Sequence, residues 1–289
     1  RRQRQMCIRD SYYLKAFLIP AIIAIVLFLP FIIMDKGYFL YYGDFNVQQI
    51  PFYQMIHDSI QNGNFGWSNT TDLGADIVGS YSFYMIASPF FWLTMLFPSP
   101  AVPHLMGPLY VLKFACCSLS AFVYLKRYVK NKDYAVIGGI LYAFSGFGVY
   151  NIFFNHFHEA MITFPLLLAA VDEIMYTGRK GVLVITAFLS CTINYYFFAG
   201  QAVFAILYWL VKLACGDFEF TFKKLIQIIF EAVLGFAASA FIFLPTLATI
   251  TENPRISNSP SGWSALLYGW EQRYMHIIAV SYTHLTLPT

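Results

Sequence analysis

Seven apolar runs of bilayer-spanning length constrain this chain more than any other feature of its sequence. A transmembrane helix needs about 20 predominantly apolar residues to cross about 30 Å of hydrocarbon. The runs lie roughly at 16–34, 104–125, 134–152, 160–177, 182–198, 200–215 and 224–244. The stretch 182–215 is apolar throughout and too long for one helix, so we divide it near Gly200. The sequence therefore predicts an all-α polytopic membrane protein.

The composition agrees with this fold class and excludes others. Hydrophobic residues make up 58% of the 289 residues and charged residues only 11%, whereas soluble domains carry about 25% charged residues. An ordinary water-soluble enzyme and a disordered chain are therefore excluded. The net charge of +3 is too small to indicate nucleic acid as a partner. The cysteines show no C-x-x-C pair and no zinc-ligand spacing, which indicates small buried hydrophobic residues.

Both ends of the chain differ in character from the rest. Residues 1–10 (RRQRQMCIRD) and 281–289 (SYTHLTLPT) resemble translated sequencing-adapter sequence, so we expect them to be non-native and exclude them from the fold argument. A genuine basic N-terminus is the alternative for the first segment. Under the first interpretation, residues 11–280 form an incomplete transmembrane domain of about seven spans from a longer protein.

The distribution of basic residues predicts the orientation of the spans. The stretch 83–97 has 15 residues and contains Pro89, so we interpret it as re-entrant or interfacial. Ten lysines and arginines then lie in cytoplasmic segments and three in outer segments, as the positive-inside rule requires. The N-terminus is predicted to be cytoplasmic. The predicted outer segments are 35–103, about 153–159, about 196–201, and 245 onward.

The first outer segment is long and acidic. Its five aspartates face a single lysine. Its apolar residues Val47, Ile50, Tyr53, Ile56 and Ile60 recur every three or four positions, which predicts a helix lying on the membrane surface, with Pro51 in its first turn. Three glycines, Gly63, Gly66 and Gly74, then predict a loop.

Two aspartates of this segment are candidates for acid–base chemistry. Asp44 lies ten residues beyond Met34, just above the predicted outer interface, where a carboxylate stays ionised. Such a group suits a general base or a residue that orients an acceptor hydroxyl; a solvated loop aspartate is the alternative. Asp76, in the LGAD motif, is the second acidic candidate.

Four further candidates suit the binding of a lipid phosphate. The NHFHE motif places His156, His158 and Glu159 at an outer helix end, where polar groups suit a phosphate oxygen that gains charge. The alternatives are helix-capping histidines or an H-x-H metal site without an identified third ligand. Lys113 lies in the middle of a span, where a cation faces the bundle interior and pairs with a phosphate or with Glu231.

Arginine and aromatic residues complete the candidates. Arg255 follows the seventh predicted span and suits phosphate binding through its fork of donors, although a plain loop arginine fits equally. Trp67, Tyr195 and Tyr196 are candidates for stacking on sugar rings.

Several motifs, in order along residues 14–280, resemble the YfhO family of bacterial membrane proteins. They are Asp44, Gln48, Pro51 and Phe52 after the first span; Gly63, Trp67, Leu73-Gly74, Tyr84 and Ser88-Pro89; GGILYAFSGF at 138–147; His156 and His158 before Pro165; and Asn194-Tyr195-Tyr196. The family is placed among the GT-C glycosyltransferases, and its members are associated with glycosylation of lipoteichoic acid in Gram-positive bacteria. Family members are much longer, with more spans and an outer C-terminal domain.

The resemblance implies a function, its partners and the roles of several residues. A GT-C-like bundle in the bacterial plasma membrane would transfer a sugar from a polyprenyl-phosphate donor to an anionic envelope polymer such as lipoteichoic acid, on the outer face. Asp44 matches the GT-C aspartate of the first outer loop, and Gln48 lies one turn further on. His158, Lys113 or Arg255 would stabilise the phosphate. No cofactor is implied with certainty, and a divalent metal is left open.

Two other classes of function fit parts of the sequence. A transporter or lipid flippase without covalent chemistry would use the intramembrane charges Lys113 and Glu231 to line a polar path. Against it, the chain shows no internal repeat, and its polar candidates gather on one face rather than at the bilayer midplane. A structural scaffold explains the apolar bulk but leaves the acidic first loop without a role.

Overall fold

The protein is a multi-span helical membrane protein in the computed structural model. The structure describes residues 2–69, 71 and 74–251, with side chains from residue 11 onward. The α-helices of this part are α1 (Arg2–Met34), α2 (Ile50–Gln61), α3 (Ile77–Tyr81), α4 (Pro89–Thr94), α5 (Val102–Leu125), α6 (Lys132–Ala143), α7 (Gly146–Tyr150), α8 (Phe157–Thr177), α9 (Val182–Ile193), α10 (Tyr195–Ala214), α11 (Phe222–Ala238) and α12 (Ala240–Thr251). Two short strands, β1 (Trp67–Ser68) and β2 (Ala75–Asp76), pair antiparallel.

The contacts below lie within the compact unit Arg1–Thr246; residues 247–251, the end of α12, belong to a second unit. Helix α5 lies at the centre of the first unit and packs against α1, α6 and α8. Its Tyr110 and Phe114 are buried in the main apolar core. Gly139 of α6 lies so close to α5 that an added Cβ would stand 2.6 Å from the Ser118 carbonyl oxygen. The small residue Gly139 thus allows α6 to approach α5 closely, and the apolar side chains of α5 fill the core around this contact.

Five helices are long and apolar enough to span a membrane within the described residues. They cover Ser11–Met34, Ser99–Leu125, Lys132–Phe153, Phe157–Thr177 and Tyr195–Ala214. A sixth span is formed if α11 and α12, which meet at an angle of 67°, are counted as one bent unit. The described residues therefore contain one or two spans fewer than the seven predicted.

The difference arises in the stretch 182–215, where the predicted break near Gly200 is wrong. The chain breaks at Asn194, and Gly200 lies inside α10. The Asn194 side chain accepts a hydrogen bond from the Phe197 amide (3.2 Å), so it caps the start of α10. A glycine inside a helix costs only about 1 kcal/mol, which tertiary packing offsets. Helix α9, with its 12 residues, is about 18 Å long and too short to span alone.

Charged residues mark one end of the bundle, here called the basic end. The ion pairs Lys15–Asp133 (3.5 Å), Arg127–Glu173 (2.6 Å) and Lys212–Asp217 (2.6 Å) join the helix termini found there. Tyr208, near the end of α10, donates to Asp172 near the end of α8, so α8 and α10 both end at this side. Because α9 links the end of α8 to the start of α10, it runs away from the basic end. The assignment of the basic end to the cytoplasm stays a prediction.

The first loop forms helices, but their apolar face is buried in the protein. Helix α2 contains Pro51 in its first turn, as predicted. Tyr53 and Ile56 are fully buried in the main core, so the apolar stripe packs on the bundle and not on lipid. Val47 is 69% exposed because it lies in a π-helical turn, Phe45–Gln49, whose wider winding shifts the stripe. The stretch 83–97 is divided into short helices, none of spanning length.

Candidate functional site

A buried ion pair occupies the bundle interior between α5 and α8. The Lys113 ammonium lies 2.7 Å from Glu159 Oε1, and the two side chains are 0% and 2% exposed. Lys113 also donates to the carbonyl oxygen (2.9 Å) and the Oδ1 atom (2.7 Å) of Asn155. All three ammonium hydrogens therefore have acceptors. The expectation that Lys113 pairs with Glu231 is wrong; the Glu231 carboxylate accepts from Gln227 Nε2 (2.8 Å).

This pair connects the first outer loop to the start of α8. Ser88 donates to Glu159 Oε1 (2.7 Å), and its oxygen accepts from the Phe91 amide (3.1 Å) as the cap of α4. Glu159 lies in the first turn of α8, where a carboxylate is favoured by the helix dipole. Burial and the Glu159 charge raise the pKa of Tyr53 well above its usual value, so the phenol beside the pair stays protonated. The Ser88 hydrogen bond to Glu159 thus holds the first loop to the start of α8.

Direct phosphate binding by Lys113, His158 or Glu159 does not fit this arrangement. The donors of Lys113 are taken, and Glu159 is enclosed. His158 is fully buried, lies 2.8 Å from the Gly148 carbonyl oxygen through Nε2, and packs on Tyr110 at 5.2 Å between ring centroids. We therefore expect these side chains to position their neighbours and not to contact a substrate directly.

His156 is the member of the NHFHE motif that faces the first loop. Its Nδ1 lies 3.3 Å from Gln49 Oε1, and its Nε2 has no hydrogen-bond partner among the described residues. Burial, the Lys113 charge and His158 lower the pKa of His156 to about 3, so the ring is neutral at physiological pH. Within the described residues, no group of three or more His, Cys, Asp or Glu side chains is placed to hold a metal.

Asp44 stands at the start of the π-helical turn with its carboxylate available. Asn46 and Tyr41 exchange hydrogen bonds between the Asn46 amide and the Tyr41 backbone, which fixes the turn that carries Asp44. The Asp44 side chain is half-buried and accepts no hydrogen bond from the described residues. Burial raises the pKa of Tyr84, and the negative charge of Asp44 adds to this shift.

Aromatic rings connect Asp44 to the starts of α8 and α10. The Tyr84 ring lies 5.2 Å from that of His156, and the Phe83 ring lies 4.6 Å from it. Phe83 also lies 5.8 Å from Tyr195 and 6.3 Å from Tyr196. We call Asp44, Gln49, Tyr84 and His156 the Asp44 cluster. The structure therefore brings together predicted candidates that are more than a hundred residues apart in the chain.

The remaining predicted residues lie elsewhere. Gln48 is half-buried and makes no side-chain hydrogen bond to the described residues, whereas its neighbour Gln49 is buried and contacts His156. Asp76 caps α3 by accepting from the Gly79 amide, which accounts for this carboxylate structurally. Arg255 lies outside the described residues, as do the segment 281–289 and most of the last predicted outer segment.

Four polar residues of the site were missed by the sequence analysis as functional candidates: Gln49, Tyr53, Ser88 and Asn155. Ser88 precedes Pro89 and caps α4, so helix-cap chemistry could have identified it. Asn155 belongs to the NHFHE motif but does not cap α8, so only the packing against Lys113 reveals it. Tyr53 carries no such signal, because it occupies an apolar position of the α2 stripe.

An apolar cavity of about 330 Å³ lies beside the cluster, between α8 and α10. Phe147, Phe164, Phe197 and Phe204 line it, and the polar residues Tyr142, Ser145 and Gln201 are also part of its wall. The Phe157 ring joins it to the cluster, at 4.7 Å from both His156 and Phe197. A cavity with this lining suits a hydrocarbon chain.

Comparison with known proteins identifies the family. A family model described as bacterial membrane protein YfhO matches residues 16–286. A similar protein is "Uncharacterized protein YfhO" of Bacillus subtilis (strain 168), 27% identical over 244 residues, an alignment that covers 74% of this chain and 27% of that relative. The matched part is thus about a quarter of the relative's length, and no solved structure matches. Because the family model covers most of its length, the chain belongs to the YfhO family of bacterial membrane proteins.

Proposed function

We propose that this chain carries the acceptor side of a GT-C-type membrane glycosyltransferase. The enzyme would move a sugar from a polyprenyl-phosphate donor to a cell-envelope acceptor such as lipoteichoic acid, on the outer face of the bacterial plasma membrane. The proposal rests on the resemblance to the GT-C pattern, in which an aspartate of the first outer loop acts on the acceptor. The proposal concerns the whole protein, since this chain matches only about a quarter of the length of its YfhO relative.

The observation that carries the proposal is the state of Asp44. Most carboxylates of the described chain have a structural partner, as Glu159, Asp76 and Asp172 do. Asp44 accepts no hydrogen bond from the described residues and lies half-buried beside Tyr84. A carboxylate held in a fixed turn without a partner is suited to accept a proton from an incoming hydroxyl.

The proposed reaction is a single displacement. The acceptor hydroxyl oxygen forms a bond to the anomeric carbon of the donor sugar while the bond from that carbon to the phosphate oxygen breaks. The hydroxyl proton passes to Asp44, and the polyprenyl phosphate leaves with the electron pair of the broken bond. Attack from the face opposite the phosphate inverts the anomeric configuration. The neutral His156 ring is a hydrogen-bonding neighbour of this site and not a cation.

Two further features support a lipid-linked donor. The apolar cavity between α8 and α10 opens beside the Asp44 cluster and suits the end of an isoprenoid chain. The Lys113–Glu159 pair holds the start of α8 against the first loop, so the cavity and Asp44 keep a fixed relation. The alternative hypothesis, a transporter with a polar path along Lys113 and Glu231, is disfavoured because each of these side chains has a local partner.

The test uses the complete gene in a deletion strain. Wild type, Asp44→Asn, Asp35→Asn and empty vector are compared for envelope-polymer glycosylation after membrane levels are shown to be equal. Asp35 is the matched control, since it is a second half-buried aspartate of the same loop. We expect wild type and Asp35→Asn to restore the sugar and Asp44→Asn to match the empty vector. Full restoration by Asp44→Asn would exclude Asp44 as the base, and no sugar with wild type would exclude this acceptor.

A further inference from the structure

A polar cleft of about 630 Å³ opens between α2 and the β1–β2 hairpin. It is separate from the Asp44 cluster: Pro51, its nearest lining residue in sequence, follows Asp44 by seven residues, or about 10 Å along helical backbone. Met55, Asp58 and Asn62 face it from successive turns of α2. Its volume lies within the range of about 300–1,000 Å³ found for small-molecule sites.

Trp67 forms one wall of this cleft as a fixed, exposed ring. The side chain is 57% exposed. Its Nε1 donates to Asn69 Oδ1 (3.0 Å), and Asn64 donates to its carbonyl oxygen (2.8 Å). Gly74 lies directly against the ring, because an added Cβ there would stand 2.7 Å from Trp67 Cζ2. An exposed indole that is already held in place loses little freedom when a ligand stacks on it.

Polar groups opposite the ring are free to bind a ligand. Ser59 and Asn62 make no side-chain hydrogen bond to any described residue, and Asp58 has a 47% exposed side chain. Among the described residues that line the cleft, Asp58 alone is charged. An anionic ligand would meet this carboxylate with no compensating lysine or arginine from the described part of the wall, so a ligand rich in hydroxyl groups but without charge is favoured.

We propose that this cleft binds an uncharged saccharide, with one sugar ring stacked on Trp67 and its hydroxyls bonded to Asp58, Ser59 and Asn62. The apolar face of a pyranose suits an indole, and amide and carboxylate groups satisfy the hydroxyls. The inference rests on the proposed function and deepens it: the enzyme holds its acceptor by neutral sugar units at a distance from Asp44, and not by the phosphates of the polymer.

The experiment measures equilibrium binding to the full chain in lipid nanodiscs by calorimetry. The probes are neutral tetrasaccharides of glucose, galactose and N-acetylglucosamine, and a poly(glycerol phosphate) of similar length. We expect at least one tetrasaccharide to bind with a Kd below about 5 mM and the anionic polymer to bind more weakly than that tetrasaccharide. Trp67→Ala should weaken that binding about tenfold, whereas Trp92→Phe, at an exposed tryptophan outside the cleft, should leave it unchanged.

Two more variants separate the outcomes. The Asp58 side chain is 47% exposed. Asp58→Lys should weaken saccharide binding and strengthen binding of the anionic polymer. Asp44→Asn should bind the saccharide like wild type, so a failed glycosylation test leaves this binding result standing, and the reverse also holds. The inference is overturned if no tetrasaccharide binds, if poly(glycerol phosphate) binds wild type more tightly, or if folded Trp67→Ala binds normally.

Discussion

Removing either charge of the Lys113–Glu159 pair should destabilise the bundle far more than removing both. Lys113→Met leaves the Glu159 carboxylate buried with Ser88 as its hydrogen-bond donor. Glu159→Gln leaves the ammonium with the two oxygens of Asn155. Breaking a buried pair in this way costs about 3–5 kcal/mol, since one uncompensated charge remains.

The double variant Lys113→Met/Glu159→Gln removes both charges together. What remains is the loss of the donor to Asn155, which costs about 1–3 kcal/mol. The two single losses therefore exceed the double loss by at least about 3 kcal/mol, which is the expected coupling free energy. Lys130→Met, at an exposed lysine of the basic end, is the matched control and should change stability by less than about 0.5 kcal/mol.

The assay is equilibrium unfolding in bicelles by steric trapping. Thermal midpoints do not suffice, because membrane proteins commonly unfold irreversibly on heating. Each variant is first shown to enter the membrane at the wild-type level. If the double variant loses the sum of the two single losses to within about 0.5 kcal/mol, the side chains do not interact and the argument for a positioning pair fails.

Two further outcomes follow from the site and the cleft. Because burial lowers the pKa of His156 to about 3, this ring binds a proton in the unfolded chain but not in the folded one between that pH and about 6.5. Its contribution to the free energy of unfolding should rise with pH across this window by up to about 1.4 kcal/mol per unit. His156→Gln should lower the slope of stability against pH by that amount, and His104→Gln is the matched substitution of a half-buried histidine. Gly74→Ala would place a Cβ 2.7 Å from Trp67 at φ +120°, whereas Gly63→Ala, at φ +75°, meets no atom within 4 Å. Only the first substitution should shift the tryptophan emission, and it should lower the free energy of unfolding by about 1–3 kcal/mol more than the second. Equal spectra and stabilities would contradict a Trp67 ring that is held in place by Gly74.

Hydropathy and local periodicity predicted the elements but not the surfaces that they bury. The run 16–34 and four of the other predicted runs lie in spanning helices, and the α2 stripe forms a helix that starts at Ile50. Hydropathy does not show whether this stripe faces lipid or the protein core, because both environments are apolar. The prediction that it lies on the membrane surface is wrong for this reason. Helix-cap chemistry is local and predicts a break at Asn194, because an asparagine is a favoured N-cap. A glycine such as Gly200 is a weaker signal for a break, because a helix tolerates it.

The partner of Lys113 was not predictable, because it depends on how α5 and α8 are aligned. The sequence places Glu231 within a predicted span and Glu159 at an outer helix end, and no local signal shows which of the two Lys113 reaches. Only the packing of α5 on α8 places Glu159 at 2.7 Å. For the same reason Gln49, rather than Gln48, contacts His156: the π-helical turn decides which glutamine points inward.

The buried pair and the available aspartate belong to one arrangement. Lys113 holds Asn155 through two hydrogen bonds, and Asn155 directly precedes His156. The ring of His156 packs on Tyr84, the residue whose pKa responds to Asp44. An intramembrane charge is by default a candidate for function. Here we expect the Lys113–Glu159 pair to act indirectly, by positioning the residues next to Asp44. Its loss should therefore disturb Asp44 through the position of His156, even in a protein that still folds.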